Sequence, residues 1–181
     1  ITANSATLNW STATDNLTST GSIVYLICKS TTGGLCQSSF STTYTTGAGA
    51  TSYNATGLIG SQTPFFVIRA QDGSGNVDGN TVEQSVTTDA TPPSFGGLGG
   101  IINVTATGVT LTWSAASDNV TSIGNIIYDI CTSTTAGLCQ SSFSVSASSS
   151  AGATSYNVTG LTQGTTYYFV VRARDQVGNT D

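Results

Sequence analysis

The chain is 181 residues long and carries 4 Lys or Arg against 9 Asp or Glu, no His, and a net charge of −5. With no basic stripe to neutralise phosphates, nucleic acid is excluded as a partner. The longest apolar runs, Ile23–Cys28 and Phe65–Ile68, are far too short for a bilayer-spanning helix, so no membrane insertion is expected.

Ser and Thr fill the space that charges normally occupy, at 58 of 181 residues. Disorder would be one outcome of such a composition. The 38% hydrophobic content, set at strand-like spacing, opposes it. The opening ITANSATLNW has neither a basic start nor an apolar core, so no signal peptide is expected, as in a mature or trimmed secreted fragment.

Sliding residues 1–78 onto 104–181 needs no gap and gives 46 identities in 78 positions. The chain is therefore built from two copies of one unit of roughly 100 residues, near the modal domain size. Taken in order, the first copy ends in a strand over Asn80–Thr88. The stretch TTDATPPSFGG follows, and its Pro92 and Pro93 rule out a central strand, making it a short linker. Ser94–Asn103 supplies the first strand of the second copy. Val109, Leu111 and Trp113 then alternate with Thr110 and Thr112, which predicts a half-buried strand. Further strands are predicted over Asn125–Thr132, Ser155–Val158 and Thr166–Arg174, the last placing Tyr167, Phe169, Val171 and Ala173 on one face. Strand signals recurring every 10 to 15 residues between Gly, Asn, Asp and Ser clusters predict an all-β sandwich.

The Trp of VTLTWS, the Tyr of IIYDI and the run GLTQGTTYYFVVRARDQVGN resemble a fibronectin type III domain. They are most similar to the versions in bacterial secreted and surface proteins, where a DATPP opening and loops such as SDN and DQVGN recur. The resemblance covers essentially the whole chain. It implies an all-β chain of two tandem Ig-like, fibronectin type III β-sandwiches: residues 1–90 with the first strand missing, and 91–181 with the last strand missing. Two origins are open, a window cut from a longer array or strands donated between neighbouring chains in a filament. Tyr167 sits at the family's tyrosine corner, whereas the first copy has Pro64 there. That corner hydrogen bond should be absent from the first copy, leaving it the looser domain.

Each copy carries two cysteines with seven residues between them, in CKSTTGGLC and CTSTTAGLC. Zinc sites use closer pairs and often His, and a catalytic thiol needs a nearby base; the chain has no His. Local disulfides are expected instead, Cys28–Cys36 and Cys131–Cys139, each stapling a hairpin in an extracellular, oxidising compartment. Most members of the family lack such a bridge. Strand parity puts Cys131 on the face of Asp129, and a charged Asp there argues that the disulfide lies on the solvated outside of the sheet.

Asp72-Gly-Ser-Gly-Asn76 and Asp175-Gln-Val-Gly-Asn179 place oxygens at turn spacing, and Asp15-Asn16 and Asp118-Asn119 sit in another loop. On the resembled fold, Asp89, Asp118, Asn119 and Asp175 are candidate calcium ligands. Turn capping by the same Asp and Asn side chains is the competing explanation. No other cofactor is expected.

Five Asn-x-Ser/Thr triplets, at Asn16, Asn54, Asn103, Asn119 and Asn157, are no more than the composition explains. Serine chemistry lacks a His, paired catalytic carboxylates are not evident, and no phosphate loop is visible, so no enzyme is expected. Arg69 and Arg172 should be exposed sheet residues, and both Trp should face the core. The expected role is a non-enzymatic extracellular structural or adhesive repeat segment of a larger surface or filament protein. Its partners would be neighbouring repeats or copies of itself. The alternative is an accessory spacer module of a secreted polysaccharide-degrading enzyme.

Overall fold

Alternating apolar residues in short runs separated by Gly- and Asn-rich turns can bury only one face of each strand, so the strands must pair and close on each other. The computed structural model describes residues 1–181 and divides them into two units, Ile1–Ala90 and Thr91–Asp181. All pairing is antiparallel.

In the first unit, β1 (Ala6–Asn9) pairs with β4 (Ser52–Ala55). A second sheet runs β3 (Tyr44–Thr45), β2 (Val24–Ser30), β5 (Phe65–Gln71), β6 (Glu83–Ser85). One helical turn, α1 (Leu35–Ser38), interrupts the run between β2 and β3. Ala6, Ile27, Ala55, Leu58 and Phe66 form the core between the two sheets.

In the second unit, β8 (Gly108–Thr112) lies between β7 (Gly100–Ile102) and β11 (Ser155–Thr159). The facing sheet runs β10 (Ala147–Ser148), β9 (Ile127–Ser133), β12 (Tyr168–Arg174), with α2 (Leu138–Ser141) between β9 and β10. Leu111, Trp113, Ile126, Tyr128, Ile130, Val171 and Ala173 form its core. The predicted strands are all present. Two are shorter than expected: Glu83–Ser85 rather than Asn80–Thr88, and Gly100–Ile102 within Ser94–Asn103.

One aromatic pair anchors each core. Trp10 packs on Tyr25 at 5.2 Å and Trp113 on Tyr128 at 5.1 Å between ring centroids. The indole N–H donates to the carbonyl of Ala50 or Ala153, and the tyrosine oxygen accepts the amide of Ala13 or Ala116. Trp113 is buried as expected, but Trp10 is only half-buried. Phe95 packs 5.1 Å from Tyr128 in the second unit.

The corner bond expected of Tyr167 is present: its phenol oxygen accepts the Thr162 amide at 3.1 Å. The first unit, with Pro64 at that position, lacks this phenol bond, as expected. Near it, fully buried Thr88 has its hydroxyl donating to the carbonyls of Ile59 and Gln62 and accepting the Gln62 amide.

Asp129 corrects one expectation. It is 5% exposed, not solvated, and Arg174 Nε donates to it at 2.8 Å while the Ser148 hydroxyl donates at 2.6 Å. The first copy carries Leu26, Gln71 and Thr45 at these three positions. Burial raises the Asp129 carboxyl, but the hydrogen bond from Arg174 and that from Ser148 outweigh it and hold the group below 3.8. A depressed carboxylate stabilises the fold above the unfolded value of 3.8, and that contribution is lost as pH falls through the lower folded value.

Three outcomes follow, all read by urea denaturation of the second unit's transition. Arg174→Gln should cost about 2 kcal/mol, because it removes a guanidinium that is a third exposed and leaves the buried Asp129 carboxylate with the Ser148 hydroxyl alone. Converting the ion pair to the first copy's residues, Asp129→Leu with Arg174→Gln, should recover most of that loss and remove the Asp129 part of the acid limb below pH 3.8. Tyr167→Phe should cost about 1 kcal/mol, one net hydrogen bond, with the first unit's transition unmoved.

Candidate functional site: disulfide clips and acidic turns

Cysteine burial sets the first candidate. Cys28 bonds to Cys36 and Cys131 to Cys139, with Cα atoms 5.8 and 5.7 Å apart. Both bridges are local, as their spacing implies. Their surroundings correct the expectation of a solvated staple across a hairpin: Cys36 is 0% exposed and Cys139 2%. The second cysteine lies in α1 or α2 rather than in a strand, and the loop folds back over the outer face of β2 and β5, where Cys28, Cys36 and Val67 pack with Phe40.

That fold-back needs a sharp entry. Gly34 and Gly137 precede the helical turns with φ of 78° and 75°, a conformation that side chains with a Cβ adopt only with strain. The arginines expected to be exposed help to close the lid. Arg69 lies over the Phe40 ring at 4.3 Å and Arg172 over Phe143 at 4.5 Å, each half-buried. In the first unit the Glu83 carboxylate also accepts the Gly34 amide, at 2.9 and 3.1 Å.

Acidic turns make the second candidate. Asp175 is 1% exposed, and one of its carboxyl oxygens accepts the amides of Val177, Gly178 and Asn179 while the other accepts the Asn179 side-chain amide at 2.6 Å. Asp72 is used in the same way by Ser74 and Asn76, and these bonds from Asn76 and Ser74 hold its carboxyl below the usual value. Asp118 accepts the amides of Val120 and Thr121 through one oxygen, and Asp15 those of Leu17 and Thr18. Within each unit the two acidic loops meet: Thr18 Oγ1 accepts the Gly73 amide, and Thr121 Oγ1 the Gln176 amide.

Of the four candidate calcium ligands, Asp118 and Asp175 are brought together, with carboxyl oxygens within 4.8 Å. Asn119 is exposed. Asp89 belongs to the first unit and is fully buried. Asp175 spends its lone pairs on four N–H donors, the chemistry of a turn cap, and a cation needing six to eight oxygens would have to displace them. The sequence carried no sign that Asp129 belongs to a buried ion pair, because its partner Arg174 lies on another strand.

These two features give two expectations. Replacing Cys131 and Cys139 together by Ser should cost the second unit about 2.5 kcal/mol, the entropy of a nine-residue loop, measured by denaturation with the first unit as internal reference. Turn capping predicts that millimolar calcium leaves the melting temperature unchanged, while Asp175→Ala lowers it; a clear rise with calcium would make these oxygens metal ligands.

The fibronectin type III domain model matches residues 91–181. Over 99% of its length the chain is 33% identical to exoglucanase B of Cellulomonas fimi and 30% identical to chitinase A1 of Niallia circulans. It spans only 14% and 22% of those two proteins. Among solved structures, the FN1–FN3 domains of chicken CNTN1 superpose with a TM-score of 0.55 at 11% identity, covering 98% of this chain and 56% of that one, a likeness of fold. The chain belongs to the fibronectin type III family.

Proposed function

We propose that this chain is a non-catalytic spacer of two tandem fibronectin type III domains within a secreted polysaccharide-degrading enzyme. The observation that carries the reading is the pattern of its relatives. Enzymes named for glucan or chitin hydrolysis align with the chain along 99% of its length, yet the chain amounts to 14–22% of each. A segment shared by an exoglucanase, an endoglucanase and a chitinase does not encode the choice between their substrates. It supplies what these enzymes have in common outside their chemistry.

The physical features suit a connecting part that works outside the cell. Each unit has its own hydrophobic core and carries its own buried disulfide. Disulfides persist in oxidising compartments. A surface rich in Ser and Thr, with only 7% charged residues, offers little for ions to hold. Both indoles pack onto Tyr25 or Tyr128 rather than forming a flat exposed platform for sugar rings.

The adhesive or filament repeat is the second reading, and the 46 internal identities in 78 positions favour it. Near-identical neighbours fit an array in which each unit touches the next. The two readings separate on the natural polypeptide that contains this segment. As a spacer, it should hydrolyse a glucan or chitin, and deletion of residues 1–181 should leave turnover of soluble oligosaccharides within about twofold. A polypeptide without glycosidic activity that assembles into fibres would overturn the spacer.

A further inference from the structure

The chain holds two Asp-Gly pairs, Asp72-Gly73 and Asp78-Gly79, both in the loop between β5 and β6. Such pairs are open to one backbone reaction, attack of the glycine nitrogen on the carboxyl carbon of the preceding aspartate. Glycine permits it because no Cβ blocks the close approach. The reaction needs a protonated carboxyl, an amide nitrogen not tied by a hydrogen bond, and room for the peptide to turn.

Asp72 is tied down. The Asn76 side-chain amide donates to one carboxyl oxygen and the Asn76 and Ser74 backbone amides to the other. These bonds, those from Asn76 foremost, hold the carboxyl below its usual value, in the charged form that resists attack. The Gly73 amide donates to Thr18 Oγ1 at 3.2 Å, which anchors the attacking nitrogen to another loop.

Asp78-Gly79 is arranged the other way. Both residues are exposed, and the Gly79 amide donates no hydrogen bond. Two donors hold the Asp78 carboxyl, the amides of Ala70 and Asn80, each at 2.9 Å. The bond from Asn80 folds the carboxyl back over the Gly79 peptide. A methyl group at Gly79 would meet nothing within 4 Å, so this peptide has room to turn.

We propose that Asp78 is a site of spontaneous modification, at which the backbone converts from an aspartyl to an isoaspartyl linkage while Asp72 is protected. The Gly79 nitrogen bonds to Cγ of Asp78, and the Cγ–OH bond breaks. The hydroxyl leaves as water with the proton from the nitrogen. A second water reopens the cyclic imide. Addition at Cγ restores aspartate; addition at the main-chain carbonyl breaks its bond to the Gly79 nitrogen and routes the chain through Cβ and Cγ. One water lost and one gained leave the mass unchanged. The added methylene lies two residues before Asn80, whose side-chain amide donates to the Ile68 carbonyl at 2.7 Å and whose carbonyl accepts Arg69 Nε at 3.0 Å. Arg69 is the guanidinium over Phe40 on the disulfide lid, so conversion loosens what holds that lid.

The test ages the 181-residue chain in warm, mildly acidic buffer beside a synthetic peptide of residues 70–82, in which neither pair is folded. Mass spectrometry with electron-driven fragmentation counts isoaspartate at each position. In the folded chain Asp78 should convert within about tenfold of the peptide's rate, and Asp72 should lag Asp78 by about tenfold or more, because its bonds must break first. Gly79→Ala should slow conversion at Asp78 by about tenfold or more. Thr18→Val, which frees the Gly73 amide, should raise conversion at Asp72 about fivefold and leave Asp78 unmoved. Conversion at Asp72 equal to or above that at Asp78 would overturn the proposal, as would an Asp78 rate more than about tenfold below the peptide's. In aged chains the denaturation midpoint of the first unit should fall and that of the second stay; an unchanged first midpoint would overturn the link to Arg69.

Discussion

A sandwich of about 90 residues buries little, and in each unit a disulfide fixes the loop that would otherwise leave one sheet face open to water. The bond spans eight residues of sequence and turns the GLCQSSF segment down onto the outer face of the longer sheet. Much else depends on that placement. It lets Phe40 and Phe143 lie under Arg69 and Arg172, and in the first unit it positions the Gly34 amide for Glu83. Without the clip the helical turn has four residues and one left-handed glycine to hold it, too little to persist alone.

The two copies solve the same local problems with different atoms. Where the second unit neutralises a buried Asp129 with Arg174 and Ser148, the first packs Leu26 and keeps Gln71 and Thr45. Where the second ties its corner through Tyr167, the first has Pro64, which carries no hydroxyl. Such exchanges come in sets, because changing one member alone strands a charge or a donor. The duplication therefore works as an internal control, with the fold constant and the interactions replaced around it.

Strand positions and the cysteine pairing were legible in the sequence because both are local or periodic: alternation marks strands, and a seven-residue gap lets two cysteines meet. Burial of the disulfide was not legible. Parity places Cys131 and Asp129 on one face, and a charge on a face ordinarily means water. Here Arg174, two strands of sequence away, removes that meaning. The tyrosine corner was predicted where Tyr167 stands, but the burial of Thr88 was not, since Thr88 looks like any other Thr in a chain that is nearly one-third Ser and Thr. Among the acidic residues, Asp-x-x-x-Asn spacing marked the turns but left capping and calcium ligation open, and in the structure Asp72 and Asp175 both cap their turns.

In the proposed role a chain of this kind contributes shape rather than chemistry, and stability has to be built into each unit separately. Everything rests on two independent clips, each closed within its own copy. Peptide mapping of the unreduced protein by mass spectrometry examines this directly. The account predicts linked fragments joining Cys28 to Cys36 and Cys131 to Cys139, with no free thiol. Fragments joining cysteines of different copies, or unmodified thiols in the folded protein, would contradict it.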